Sequence, residues 1–265
     1  MAAALLSAAM KRTAIAIAAH PDDIEFWMAG TLLLLRDAGW EIHCFNLSSG
    51  SLGSSVMSPA RTSAVRRAEA KRAAKIMGAV WHPPVAHDME VLYTLPNLRR
   101  VAAVVRKVNP AVVLTHPPAD YMEDHTETCR LAVSAAFCKR LPHFKSTPPT
   151  VMGEGDVTVY HCMPHMLSTP LGERVHPEAY VDVTGVIETK TAALAAHESQ
   201  KKWLDETQGM DSYLKTMQGF SEILGRESKK FRHAEGWRRH LAAGFCAADA
   251  DPLAEVLGRK FLRRK

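Results

Sequence analysis

The sequence predicts an α/β protein built on a mostly parallel sheet with helices on both faces. Three observations support this prediction. Apolar runs of strand length recur along the N-terminal half, segments of helical composition separate them, and each run ends in a turn rich in Pro, Ser or Gly. Strands that alternate with helices in this way are typical of a parallel sheet, in which ligand sites lie at the carboxyl ends of the strands.

The first half of the chain shows the alternation most clearly. Residues 13–19 (TAIAIAA) form an apolar, partly β-branched run that stops at His20-Pro21, as a buried parallel strand would. Further strands are predicted at residues 41–47 and 111–115, and helices at residues 26–38, 62–77 and 97–108, with Gly78 as a C-cap. This order of elements predicts a Rossmann-like arrangement.

The second half of the chain has weaker patterns. Strands are predicted at residues 157–162 and 179–183, and helices at residues 186–197 and 211–228. No internal repeat or low-complexity linker interrupts the chain, and the Pro-rich stretch at residues 146–149 is the nearest feature to a joint. We therefore expect a single domain over residues 1–265, with residues 1–11 as a flexible extension.

Composition excludes several classes of protein. The chain has 265 residues, 47% hydrophobic and 23% charged, which allows a sizeable core. The net charge of +5 is not arranged as a basic helix face with interleaved aromatic residues, so a nucleic-acid partner is not expected. No apolar run is long enough to span a membrane. The five cysteines include no Cys-x-x-Cys pair, which favours a reducing cytoplasm, and no Gly-x-Gly-x-x-Gly follows the first strand, which argues against a dinucleotide dehydrogenase.

Two polar clusters stand where predicted strands end. His20-Pro21-Asp22-Asp23 follows the first strand, and residues 120–125 follow the strand at residues 111–115. A catalytic zinc site needs three imidazole or carboxylate ligands and one open position, which His20, Asp23 and His125 can supply. Asp22 would then be free to accept a proton from water. The alternative is an ordinary turn with solvated acids, because Pro and Asp are turn residues.

These motifs resemble those of the LmbE-like, or PIG-L, N-acetylglucosaminyl deacetylases. The segment Ala19 to Glu25 (AHPDDIE), followed by Met-Ala-Gly-Thr at residues 28–31, is similar to the family's signature loop and helix start. Weaker similarities follow at Arg66-x-x-Glu69, at residues 121–125, and at residues 181–184 and 197–200. The resemblance spans roughly residues 13–240.

The resemblance implies a reaction and roles for several residues. His20, Asp23 and His125 correspond to zinc ligands, with Fe²⁺ or Mn²⁺ as alternative ions, and Asp22 corresponds to the general base. The implied reaction is hydrolysis of an N-acetylglucosamine-type sugar or conjugate to acetate and a free amine. Asp124 is the second predicted catalytic residue, and it either caps the helix that begins near His125 or holds the His125 imidazole by its second nitrogen.

Four further residues are predicted to bind the substrate. They are Arg66, Glu69, Asp120 and Tyr121. Three of them have a structural alternative: Arg66 and Glu69 would also suit a solvated helix face, and Asp120 would suit a turn or an acid that supports a metal ligand. The implied partner is a small N-acetylated sugar or glycoconjugate, and the sequence leaves a homo-oligomer open.

Two positions depart from the family pattern. Met122 stands where the family usually has a histidine that steadies the oxyanion, and a thioether cannot donate a hydrogen bond. Candidate replacements are His116, Tyr121, His161 and His165. Trp27 stands where a small residue is expected, and it either narrows the pocket or packs into the core. These departures keep two alternatives open: an amidase for another N-acyl or thiol-conjugate substrate, and a weakly active, metal-bound sugar-binding module.

Overall fold

A computed structural model describes residues 12–200 and 213–264, and its centre is one eight-stranded sheet. The strands are β1 (Thr13–Ala18), β2 (Glu41–Asn46), β3 (Val80–His82), β4 (Val112–Thr115), β5 (Thr158–Cys162), β6 (Ala179–Asp182), β7 (Ala234–Arg239) and β8 (Phe261–Arg263). Their order is β3-β2-β1-β4-β5-β7-β6-β8. The first five strands in this order run parallel, whereas β7 runs antiparallel to β5 and β6, and β8 antiparallel to β6. The predicted mostly parallel sheet is confirmed.

Helices cover both faces of the sheet, as predicted. They are α1 (Asp23–Trp27), α2 (Ala29–Asp37), α3 (Pro59–Met77), α4 (Leu95–Val108), α5 (Glu123–Cys138), α6 (Ile187–Ala195), α7 (Tyr213–Ser228) and α8 (Pro252–Leu257). Successive side chains of β1 point to opposite faces. Ile15 and Ile17 pack with α4 and α5, whereas Ala14 and Ala16 belong to the core beneath α2 and α7. The small alanines leave room for the leucine-rich α2.

Helix α3 shows how local residues set an element's ends. The Ser58 side chain accepts a hydrogen bond from the Arg61 amide at 3.3 Å, and Pro59 occupies the first helical position. The helix ends at Gly78, whose φ of 70° is left-handed, as the sequence predicted. The helix therefore begins three residues before the predicted start at residue 62, because Ser58 and Pro59 provide the cap and first position.

The sheet order creates a crevice beside β1. The chain leaves β1 towards β2 on one side, and β4 lies on the other side, so the strand order reverses between β1 and β4. Crevices of this kind, outside the carboxyl ends of the strands, are where open α/β sheets bind ligands. His20 follows β1 and His116 follows β4, so both polar clusters lie at this crevice.

Parts of the sequence-based prediction fall outside the described residues. The predicted extension at residues 1–11 does so entirely, and the predicted helix at residues 211–228 is described only from Tyr213. No helix in residues 12–200 or 213–264 is both long and apolar enough to cross a membrane.

Candidate active site

A cavity of about 300 Å³ opens at the crevice, and both predicted polar clusters contribute to its wall. It is lined by His20, Asp22, Asp23, Phe26, Trp27, Leu52, Gly53, Arg66, Asp88, Met89, Tyr121, Met122, Asp124, His125, His165, Gln200 and Tyr213. Its volume is at the lower end of the range for small-molecule pockets. Acidic and aromatic side chains both contribute to its lining.

The structure brings His20, Asp23 and His125 together at the base of this cavity. One potential ligand atom from each lies within 4.8 Å of the others. The Asp23 Oδ2 atom is 3.5 Å from His20 Nδ1 and 3.4 Å from His125 Nε2. Two imidazole nitrogens and a carboxylate oxygen on a common centre are a donor set that suits a borderline divalent cation. The three residues therefore fit a metal ion.

A different carboxylate holds each imidazole from behind. His20 Nε2 donates to Asp124 Oδ2 at 2.9 Å, and His125 Nδ1 donates to Asp120 Oδ1 at 3.0 Å. Such bonds fix the tautomer that leaves the other nitrogen free for a metal. The prediction that Asp124 holds His125 was therefore wrong, because the start of α5 turns Asp124 towards His20. Asp124 is also not the helix cap, since Met122 occupies that position.

The protonation of this cluster reflects its crowded charges. Burial alone would lower the pKa of His20, but hydrogen bonds with Asp124 and Asp23 outweigh it and raise the pKa to about 9. Burial is likewise outweighed at His125, where Asp23 and Asp120 raise the pKa to about 10. The pKa of Asp23 lies well below its usual range because three histidines counter its burial. A bound cation would take the place of the protons that balance these acids.

A second group of possible ligands shares His125. His116 and Asp120 form it, and the His116 ring stacks on His125 with centroids 4.1 Å apart. His116 Nε2, however, accepts a hydrogen bond from the Ala19 amide at 3.0 Å, and Asp120 is already bonded to His125. Burial also lowers the pKa of His116, which indicates a neutral ring. This group is better explained as support for His125 than as a separate metal site.

Asp22 lines the same cavity as the three-residue cluster of His20, Asp23 and His125. Its φ of 108° is left-handed, an unusual conformation for a residue other than glycine and one that concentrates at functional sites. An Arg66 nitrogen lies 3.2 Å from its carboxylate and also donates to the Pro21 carbonyl. Burial raises the pKa of Asp22, although Arg66 acts in the opposite direction. A carboxylate with a raised pKa beside the cavity is suited to accepting and returning a proton.

The predicted substrate-binding residues separate into two groups. Arg66 and Tyr121 line the cavity, whereas Glu69 and Asp120 do not. Glu69 is buried and accepts hydrogen bonds from the Ser199 amide and hydroxyl at 2.8 and 2.6 Å. The alternative of a solvated face for Arg66 and Glu69 was wrong, because both are at most 3% exposed.

The four candidates to replace the missing histidine also separate. His116 and His161 lie behind the cavity, and His161 donates to the His116 carbonyl at 2.8 Å. Tyr121 and His165 line the cavity together with Met122.

Trp27 fulfils both of its predicted alternatives. It is 7% exposed within the main core, and it also lines the cavity.

Sequence reasoning missed several cavity residues. They include Leu52, Asp88, Gln200 and Tyr213, which come from segments far apart in the chain. Asp88 accepts from the Leu52 amide at 2.8 Å and from the Ser48 hydroxyl. Leu52 and Asp88 belong to loops without a periodic pattern, and Tyr213 is the first described residue of helix α7, so no local signal marks these residues as part of a cavity.

The fold and the site together define the class of protein: a Rossmann-like α/β protein with a His/Asp metal-type cluster at its switch point. Residues 15–137, which contain both clusters, match the family model described as PIG-L, GlcNAc-PI de-N-acetylase. The resemblance of this chain to the PIG-L, or LmbE-like, deacetylases is thus confirmed over residues 15–137.

Individual relatives are similar over most of the chain. The chain is 29% identical over 231 residues to a diacetylchitobiose deacetylase of Thermococcus kodakarensis, which covers 84% of this chain and 81% of that protein. It is also 29% identical over 205 residues to a 4-oxalmesaconate hydratase of Pseudomonas putida, covering 72% of this chain and 75% of the relative. The solved N,N'-diacetylchitobiose deacetylase of Pyrococcus horikoshii shares the fold, with a TM-score of 0.72 at 22% identity, over 91% of this chain and 88% of that one.

Proposed function

We propose that this protein is a metal-dependent deacetylase that hydrolyses the N-acetyl group of an N-acetylglucosamine-type sugar or conjugate. The proposal rests on three ligand atoms that lie close together: His20 Nδ1, Asp23 Oδ2 and His125 Nε2. The carboxylate of Asp22 lines the same cavity and is not one of these ligands. The deacetylase relative and the size of the cavity support it. Five unpaired cysteines fit a reducing cytoplasm as the location.

The metal site would be formed by His20, Asp23 and His125, with Zn²⁺ as the proposed ion and Fe²⁺ or Mn²⁺ as alternatives. A divalent cation held there supplies Lewis acidity, which polarises the acyl carbonyl and makes water more acidic. Asp120 and Asp124 orient the two imidazoles.

The proposed reaction proceeds through Asp22. The carboxylate accepts a proton from water as the water oxygen bonds to the acyl carbon, and it then returns that proton to the nitrogen as the C–N bond breaks. The products are acetate and a free amine. Arg66, 3.2 Å from Asp22, holds the carboxylate in place throughout.

The decisive experiment measures acetate release from a panel of N-acetyl sugars by protein of known metal content. We expect Asp22→Asn to lower kcat at least about a hundred-fold without loss of metal. Asp156→Asn is the matched control. This aspartate is exposed and lies just before β5, at the amino-terminal ends of the parallel strands, whereas the cavity lies at their carboxyl ends. Activity that persists in Asp22→Asn, or purified protein that binds no divalent metal, would contradict the proposal. Release of other acyl groups in preference to acetate would favour the wider amidase alternative, and tight sugar binding without turnover would favour the binding module.

A second candidate is hydration of an unsaturated carboxylic acid, favoured by the hydratase relative. The charge of the cavity opposes it. Among the described lining residues, Arg66 is the one Lys or Arg, and it is paired with Asp22, while Asp88 and Asp124 add negative charge. A substrate with several carboxylates would find no unpaired Lys or Arg among these lining residues to bind it. Water addition to such an acid, followed by ultraviolet absorbance, distinguishes the two reactions.

A further inference from the structure

Amide hydrolysis places negative charge on the acyl oxygen, and a hydrogen-bond donor in the cavity wall would stabilise that charge in addition to a metal ion. Most donors of the lining are already occupied: His20 by Asp124, His125 by Asp120, and Arg66 by Asp22 and Pro21. Two further side chains of the lining could donate a hydrogen bond, and both lie on the side of Asp22. Gln200 lies beside Gly53 and Arg66, and Tyr213 is hydrogen-bonded to Asp22.

Trp27, Tyr121 and His165 also line the cavity. Among the described residues, no group hydrogen-bonds to either ring nitrogen of His165, although the ring is partly buried and borders the cavity. Burial also lowers its pKa, so the ring is neutral and carries one N–H group. Tyr121, by contrast, is 59% exposed. Of Tyr121 and His165, the less exposed His165 is therefore the better ordered hydrogen-bond donor.

Aromatic side chains surround His165 closely. Trp27 meets the imidazole edge-on at 89° with centroids 6.2 Å apart, and Phe220 does so at 71° and 5.7 Å. The rings of Tyr121 and Phe26 lie at 5.4 and 6.1 Å. Contacts of this geometry are favourable and orient the ring. The bulky Trp27, unexpected from the sequence, thus packs directly against the unpaired imidazole.

The backbone after His165 adopts a rare conformation. Met166 and Leu167 are both left-handed, with φ of 57° and 54°, although neither is glycine. Leu167 is buried in the main core, which anchors this turn. A left-handed backbone at a residue other than glycine costs free energy, and it persists only where contacts with the rest of the protein hold it in place.

We propose that His165 donates the hydrogen bond that stabilises the acyl oxygen during hydrolysis, and that Trp27 positions its ring. His165 thereby supplies, from the turn after β5, the donor that Met122 cannot provide. The inference rests on the proposed deacetylase function.

The first test compares His165→Phe with variants that keep a donor. We expect His165→Phe to lower kcat about a hundred-fold with little change in KM, because only the transition state is affected. The more active of His165→Asn and His165→Gln should recover at least about tenfold of that loss. His143→Phe is the matched control, because this histidine is exposed and does not line the cavity, and it should stay within about twofold of the wild type. Wild-type kcat in His165→Phe, or a larger loss in Tyr121→Phe than in His165→Phe, would overturn the assignment.

A binding measurement provides a second readout. A phosphonamidate analogue of N-acetylglucosamine carries a charged oxygen in place of the developing oxyanion. We expect His165→Phe to weaken its affinity by about the same factor as kcat/KM, and to leave affinity for the free amino sugar within about threefold. If wild-type protein neither hydrolyses acetylated sugars nor binds the analogue, the proposed function itself fails. If the wild type does both and His165→Phe does so equally well, only the role of His165 fails.

The positioning role of Trp27 is tested by a double-mutant cycle. Trp27→Leu should lower kcat about tenfold when His165 is present, and less than about twofold in the His165→Phe background. A purely structural role would lower activity equally in both backgrounds, and that result would overturn this part of the proposal.

Discussion

The carboxylate of Glu235 joins two helices to the sheet from a buried position on β7. It accepts hydrogen bonds from the Gly30 and Thr31 amides at 2.8 Å each, from the Thr31 hydroxyl at 2.6 Å and from Lys190 Nζ at 2.6 Å. The side chains of Lys190 and Glu235 are 1% and 3% exposed. The pair therefore connects the first turn of α2, helix α6 and β7 away from water.

Replacement of Lys190 by methionine leaves the Glu235 charge without its counter-charge. Removal of one partner from a buried ion pair costs about 3–5 kcal/mol. Three of the four hydrogen bonds to the carboxylate remain and continue to stabilise its charge, so the lower end of that range applies. We expect Lys190→Met to lower the free energy of unfolding by about 3 kcal/mol.

The double variant Lys190→Met/Glu235→Gln removes both charges. The Gly30 and Thr31 amides bond to different oxygens of Glu235, so the single glutamine oxygen can accept from one of them. Because no buried charge is left unpaired, the combined loss should still be smaller than the sum of the two single losses. Urea unfolding followed by tryptophan fluorescence measures these values. Lys75→Met is the matched control, because this α3 lysine is exposed, and it should change stability by less than about 0.5 kcal/mol. A loss below about 1 kcal/mol for Lys190→Met, or strictly additive losses, would refute this reasoning.

Three further predictions concern metal and pH. Asp120→Asn and Asp124→Asn should each weaken Zn²⁺ affinity about 10–100-fold, because each acid orients one imidazole. A competition titration with a chromophoric chelator measures this affinity, and an unchanged value would show that the two acids do not orient the ligands. Zn²⁺ should raise the melting temperature of the metal-free protein, and a chelator should reverse this rise. A melting temperature that does not change with added Zn²⁺ would argue against the metal site. Burial lowers the pKa of His82 and His161 to about 4, so the stability they contribute is present above pH 6.5 and is lost as pH falls from 6.5 to 4. His82→Asn should reduce this acid-induced loss in calorimetry, and an unchanged loss would contradict the assignment.

The sequence alone was sufficient for the parallel half of the fold and for the composition of the metal-type cluster. The apolar run before His20 and the turn residues that end each strand are local signals, and they predict where the strands stop. Parallel strands end at one edge of the sheet, so His20 and His125 were expected to meet although about a hundred residues separate them.

Only the tertiary structure decided which side chains face each other. Asp120 and Asp124 are four residues apart, and the placement of α5 against β1 and β4 determines that Asp120 bonds to His125 and Asp124 to His20. The burial of Glu69 likewise depends on Ser199, 130 residues away. His165 reaches the cavity because the turn after β5 packs against Trp27. Hydrogen bonds and ring contacts of this kind depend on the relative positions of distant elements, which no local pattern of residues encodes.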